Sequence, residues 1–139
     1  MPIIFISLSD TYTDKLIKYG YDAKTMLIQD FIPTKKTYYV SPANSLCFMD
    51  GGIDYALSRI VFPKIETEVK KIVKDLGIIS IVGKPYLPIG SSIILNKGDK
   101  ALVISPTMLL PQDASTTKNA YYATMAVLYN SLDTNPKIR

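Results

Sequence analysis

Histidine and tryptophan are absent from this chain of 139 residues, and cysteine occurs once, at Cys47. The lack of histidine removes the commonest general base and the commonest metal ligand together. Ser-His-Asp and Cys-His catalysis are excluded, and no metal site is expected. A single cysteine allows no internal disulfide, so a cytoplasmic or otherwise intracellular setting is the expectation. No apolar run approaches the roughly 20 residues of a membrane span. The N-terminus lacks the basic region, apolar run and small-residue cleavage site of a signal peptide. No membrane partner and no cofactor are expected. Any chemistry must come from carboxylates, amides, hydroxyls and a bound ligand.

The net charge is a mild +4, which helps attract an anionic ligand. Nucleic-acid binders gather such charge into a patch. Here the lysines and arginines are scattered, with small clusters at Lys35–Lys36 and Lys70–Lys71, and read as solvated surface. Nucleic acid is not an expected partner.

The length suits one domain, residues 1–139, with a polar tail over 131–139. Nearly half the residues are apolar, enough for a core. Pro2–Leu8 reads as a buried strand. Ser9 or Asp10 caps a following helix that Gly20 stops. Thr25–Gln29 and Thr37–Val40 read as further strands. From Gly52 the period changes: Ile53, Ala56, Leu57, Ile60 and Val61 fall on one helical face. Pro63 breaks or restarts that helix, which continues through Ile65, Val69, Ile72, Val73 and Leu76 to Gly77. Glu66 and Lys70 form a favourable i, i+4 pair. Ile78–Val82 is a strand or a loop; Ser91–Leu95 and Ala101–Ser105 are strands. Thr116 or Thr117 opens a last helix, to about Leu132, whose face carries Ala120, Tyr121, Ala123, Met125, Val127 and Leu128. Strands alternating with helices predict a layered α/β domain with a mixed, mostly parallel sheet flanked by helices.

One loop stands apart. "SPANSLCFMDGGIDYALS" (Ser41–Ser58) leads from a strand through small polar residues and a Gly-Gly pair into a helix. In layered α/β domains ligands gather where strands end and loops lead to helices. Glycines let the backbone approach a ligand, and the free N–H groups of a first helical turn suit phosphate. The Asn44 amide can partner a sugar hydroxyl. The same residues also suit a plain structural turn followed by a helix, which needs no ligand.

The stretch Val40–Ser58 resembles the signature loop of the macro domain family: a strand, an Asn-Ala-Ala-Asn-like segment, a glycine run and a helix. Ser41-Pro42-Ala43-Asn44 and Gly51-Gly52-Ile53-Asp54 carry the match, to a divergent branch with "SPANS" and "DGGID". Leu87–Leu95 and Ile104–Ala123 are similar to later segments of that branch, so the resemblance covers roughly residues 25–130. It implies binding of ADP-ribose or a related nucleotide. Asp30 would receive the adenine amino group, with Phe31 or Ile32 flanking the ring. Ala43, Asn44 and Ser45 would line the loop, with Asn44 on the distal ribose, and the backbone of Gly51, Gly52 and Ile53 would meet phosphate. In hydrolytic relatives an aspartate lies where Asp54 falls, so Asp54 is the catalytic candidate for removal of ADP-ribose; otherwise it stabilises its own helix end.

Three departures qualify the match. Phe48, Met49 and Asp50 replace the start of a longer glycine run, and an inward Asp50 would repel a diphosphate, so it should point away or cap the helix. Tyr55 and Ser58 replace a glycine and a histidine of hydrolytic branches. The family continues with a strand, a second glycine-rich phosphate loop and a final helix, whereas this sequence has no glycine after Gly98. A macro-like fold without that last strand and helix could instead be a ligand-less structural or assembly protein, with a partner or a second copy covering the shortened edge. Ten tyrosines and five methionines fit an interface or an ordinary core. The lysine, isoleucine, tyrosine and asparagine bias fits an AT-rich genome, such as a viral one.

Overall fold

A computed structural model of the chain describes residues 2–110 and 112–132; the tail expected over 131–139 lies almost wholly outside them. The fold is α/β, with helices beside parallel and mixed strands. The chain separates into two compact units, Met1–Thr34 and Lys35–Arg139.

The first unit is a strand–helix–strand turn. β1 (Ile4–Ser7) runs parallel to β2 (Asp22–Thr25), with Ile4 opposite Asp22 and Ser7 opposite Thr25. Between them lies α1 (Asp10–Lys18), whose N-cap is Ser9; the Ser9 hydroxyl accepts from the Tyr12 N–H. Asp10 in the first turn, with Lys15 and Lys18 in the last, gives the charge sense a helix dipole favours. The second strand sits earlier than the apolar run Thr25–Gln29 suggests. Pairing with β1 selects the polar stretch Asp22–Thr25, and the apolar residues that follow close into a short 3-10 turn at Ile28–Asp30. Strand formation here follows the available backbone partner rather than side-chain pattern.

The second unit is built on a three-stranded sheet in the order β3 (Thr37–Ser41), β5 (Lys100–Ile104), β4 (Ile93–Lys97). β3 and β5 are parallel; β4 and β5 are antiparallel. The β4–β5 turn is two residues, with Gly98 at φ 72° in its first position, which suits the turn type that reserves that place for glycine. Ala101, Leu102, Val103 and Ile104 are wholly buried, as expected for a central strand covered on both faces. Tyr39 and Ser41 on β3 point inward while Val40 is exposed.

α2 (Gly52–Ala56) passes into a wider turn over Leu57–Val61, closed by the Phe62 N–H on the Leu57 carbonyl at 2.8 Å, five residues back. Pro63 follows, and the chain restarts as α3 (Ile65–Leu76). The wide turn changes the buried stripe. Leu57 is wholly buried as the periodicity predicts, but Ile60 is exposed and Ser58 is inside. Extra residues per turn reduce the rotation per residue, so the regular helical spacing overshoots. α3 then buries Ile65, Val69 and Val73, and Gly77 ends it as expected; Lys70 pairs with Glu66 at 4.0 Å.

Ile78–Val82 is not a strand. It carries one bridge, Ile79 to Pro85, and folds back where the Ser80 N–H meets the Lys84 carbonyl at 2.8 Å. The last helix, α4 (Asn119–Leu132), starts later than Thr116 or Thr117, because Ala114–Thr117 forms its own turn. Of its expected face, Ala123 is buried, but Tyr121 and Met125 are exposed. α4 is docked largely by polar contacts. The Ser105 hydroxyl donates to the Ala123 carbonyl at 2.8 Å, and the Ser92 hydroxyl to the Ala126 carbonyl at 3.3 Å. Asn130 returns a bond to the Ser92 carbonyl at 3.2 Å. Among the described residues, no helix is long and apolar enough to cross a membrane.

Candidate functional site

The loop after β3 is fastened more firmly than its polar sequence suggests. Backbone pairing with the strand beyond β5 continues through it. The Ser105 N–H donates to the Ser41 carbonyl at 3.0 Å, the Thr107 N–H to the Ala43 carbonyl at 2.9 Å, and the Ser45 N–H to the Met108 carbonyl at 2.7 Å. On the same loop, the Leu87 N–H donates to the Ser45 carbonyl at 2.8 Å. The Asn119 amide donates to the Thr107 carbonyl at 2.9 Å. Segments far apart in sequence, around Ala43, Leu87, Thr107 and Asn119, therefore meet at one place. Ala43, Asn44 and Ser45 are all buried there.

Asn44 closes the loop on itself. Its Oδ1 accepts from the Phe48 N–H at 3.1 Å, and its Nδ2 donates to the Phe48 carbonyl at 2.9 Å. One Nδ2 hydrogen and one Oδ1 lone pair remain for another partner. Cys47 takes φ 60°, a left-handed backbone uncommon outside glycine, and no feature of the sequence marks it. Burial, with the Asp54 charge adding, pushes its thiol up to about 12. It stays protonated at neutral pH and is no nucleophile.

Beyond Cys47 the loop is held from below. The Met49 N–H donates to Glu66 Oε2 on α3 at 2.6 Å. Arg59 lies 3.6 Å from both Glu66 and Asp50, and its Nη1 donates to the Ser58 hydroxyl at 2.7 Å. The Ser58 hydroxyl reaches the Met49 carbonyl at 3.2 Å. Asp50 thus faces Arg59 and is exposed; it does not cap α2, whose N-cap is Gly51. Gly51 and Gly52 are exposed, and a Cβ on either would meet nothing within 4 Å. Gly52 sits at φ 58°, so a side chain there would strain the backbone whatever the space. The N–H groups of Gly51, Gly52 and half-buried Ile53 meet no acceptor among the described residues, as befits a helix start.

Asp54, in the first turn of α2, is the one buried carboxylate among the described residues. It accepts a short hydrogen bond from the Ser41 hydroxyl, which ties α2 to the end of β3. Burial raises its pKa; the Ser41 bond works against that shift, and the Glu66 charge adds to it. Its hydrogen bond among the described residues is to Ser41, not to its own helix end.

Asp30 and Phe31 belong to the first unit. Asp30 ends the 3-10 turn and is exposed, Phe31 is half-buried, and Ile32 is exposed. Sequence reasoning missed Ser41, Ser58, Arg59 and Glu66 as members of the loop's support. Ser41 and Ser58 drew notice only as positions in the family motif, and Glu66 only through its spacing to Lys70, as a surface pair. Among the described residues no group of three or more cysteine, aspartate or glutamate side chains could hold a metal ion. Compared with known proteins, the chain matches no family model and no curated sequence.

Proposed function

We propose that the chain binds ADP-ribose or a related nucleotide on the loop between β3 and α2, as its resemblance to macro domains implies. One observation supports this most: Gly51 and Gly52 lie exposed at the start of α2, with N–H groups unpaired among the described residues, in a loop that is otherwise clamped. A clamped loop with open amides binds an anion at low ordering cost. The phosphates lie against Gly51, Gly52 and Ile53, and the remaining polar capacity of Asn44 meets a ribose hydroxyl. The proposal is binding rather than turnover, because Asp54 is buried and engaged by Ser41.

Thermal unfolding with and without ADP-ribose tests this. Ligand at about 100 times its dissociation constant adds ~2.7 kcal/mol to stability. Gly51→Val is the discriminating variant. Gly51 has an extended backbone at φ −150°, and a Cβ meets no protein atom, so the fold tolerates the side chain and only a ligand meets it. The expected result is a shift in the native protein that Gly51→Val loses. No shift with ADP-ribose, AMP or inorganic phosphate refutes the proposal. A second reading, a scaffold of the same fold without a ligand, is favoured by the exposed apolar face of α4.

A further inference from the structure

α4 turns its backbone carbonyls at Ala123 and Ala126, and its Asn130 amide, toward Ser105 and Ser92, which flank β5 and β4. The opposite face carries Tyr121, Met125 and Tyr129, spaced i, i+4, i+8, with Tyr122 beside them. These side chains are 64%, 50%, 73% and 48% exposed, and the Tyr121 and Tyr122 rings meet edge to face at 5.6 Å. Asn119–Leu132 contains no charged residue. A surface helix normally sets charged residues against water. Here the outward side is a ridge of two tyrosines and a methionine.

We infer that this ridge is where a second copy of the chain docks, α4 against α4 about a two-fold axis. Three observations favour self-pairing. The row follows the i±4 ridge of a helix, which interdigitates with an identical row at a crossing of about −50°. The uncharged helix brings no like charges opposite each other in a protein of net charge +4; a two-fold contact sets each patch against itself, so this matters. The area also suffices: tyrosines present ~150–250 Å² each, so the four exposed side chains offer on the order of 500 Å² per copy. A pair removes on the order of 1,000 Å², the floor for a specific interface, before flanking residues are counted. Met125 lies mid-row and meets itself near the axis, with Tyr121 opposite Tyr129. The pairing is independent of nucleotide binding, since it uses none of the loop residues.

Sedimentation equilibrium on the full chain from ~1 µM to ~1 mM tests it. The expected result is a reversible doubling of mass at tens to hundreds of micromolar, in the weak range such an area supports. Met125→Lys sets two cations against each other on the axis and should shift the midpoint at least tenfold upward, with an unchanged circular dichroism spectrum. Met125→Leu should keep the native midpoint. A chain monomeric to ~1 mM overturns the inference, and so does a dimer or larger assembly that Met125→Lys leaves intact.

Discussion

α3 and α4 are of similar length, 12 and 14 residues, yet they are fastened differently. α3 buries Ile65, Val69 and Val73 and sets Glu66, Glu68, Lys70 and Lys74 on its other sides. Among the described residues α4 fully buries only Ala123, half-buries Ala126, Val127 and Leu128, and is also held through hydroxyls that donate to its backbone carbonyls. Apolar burial is non-directional and scales with area. A hydroxyl-to-carbonyl bond contributes only about 1 kcal/mol net, and it is directional. The first helix therefore depends on volume, the second on register.

The largest effect that would break this contrast lies in α3. Ile65→Ala should destabilise by about 2–5 kcal/mol, the range for emptying a buried site, read by urea denaturation. Ser105→Ala should cost about 1 kcal/mol by removing the hydroxyl's bond to the Ala123 carbonyl, which keeps its partner within the helix. It should also speed amide exchange in α4 more than in α3. Equal losses in both helices from Ser105→Ala would show that the two are not fastened separately.

A smaller effect, opposite in sign, sharpens the polar side. A carboxyl whose pKa is raised by folding binds its proton more tightly in the native state. Its ionisation therefore lowers stability as pH rises, and stability returns as pH falls. Burial raises Asp54 in this way. Asp54→Asn keeps an oxygen for Ser41 and removes the charge. The variant should melt above the native protein at neutral pH, with the gap closing as pH falls through the raised pKa toward the ordinary value of ~4. A gap constant across that range would show that the charge is not what burial opposes. The smallest effect belongs to the outer face of α4: Tyr129→Ser, measured at dilution, should change stability by no more than ~0.5 kcal/mol.

Where a short segment carries its own pattern, the sequence was readable. α1 with its Ser9 cap, α3 with its stripe and Gly77 stop, and the strands around Tyr39 and Val103 fell close to where they were expected. The misses have two causes, a partner distant in the chain and a local departure from the regular helix. Asp22–Thr25 is a strand because β1 lies beside it. The turn at Leu57–Val61 widens before Pro63, which removes Ile60 from the core. At the candidate site, the strand, loop and helix order around Asn44, Gly51 and Gly52 was legible. The support from Met108, Leu87 and Glu66 was not, since pairing across tens of residues leaves no local mark.

The place of β5 between β3 and β4 also sets the order in which the protein can be made. Ser41 finds its partner Ile104 only after roughly sixty more residues have been synthesised, which takes on the order of 3–12 s at ribosomal speed. During that interval the newly made β3 stands with its inner edge bare. The sheet of the second unit therefore closes late in synthesis, by insertion of β5 rather than by stepwise addition of strands.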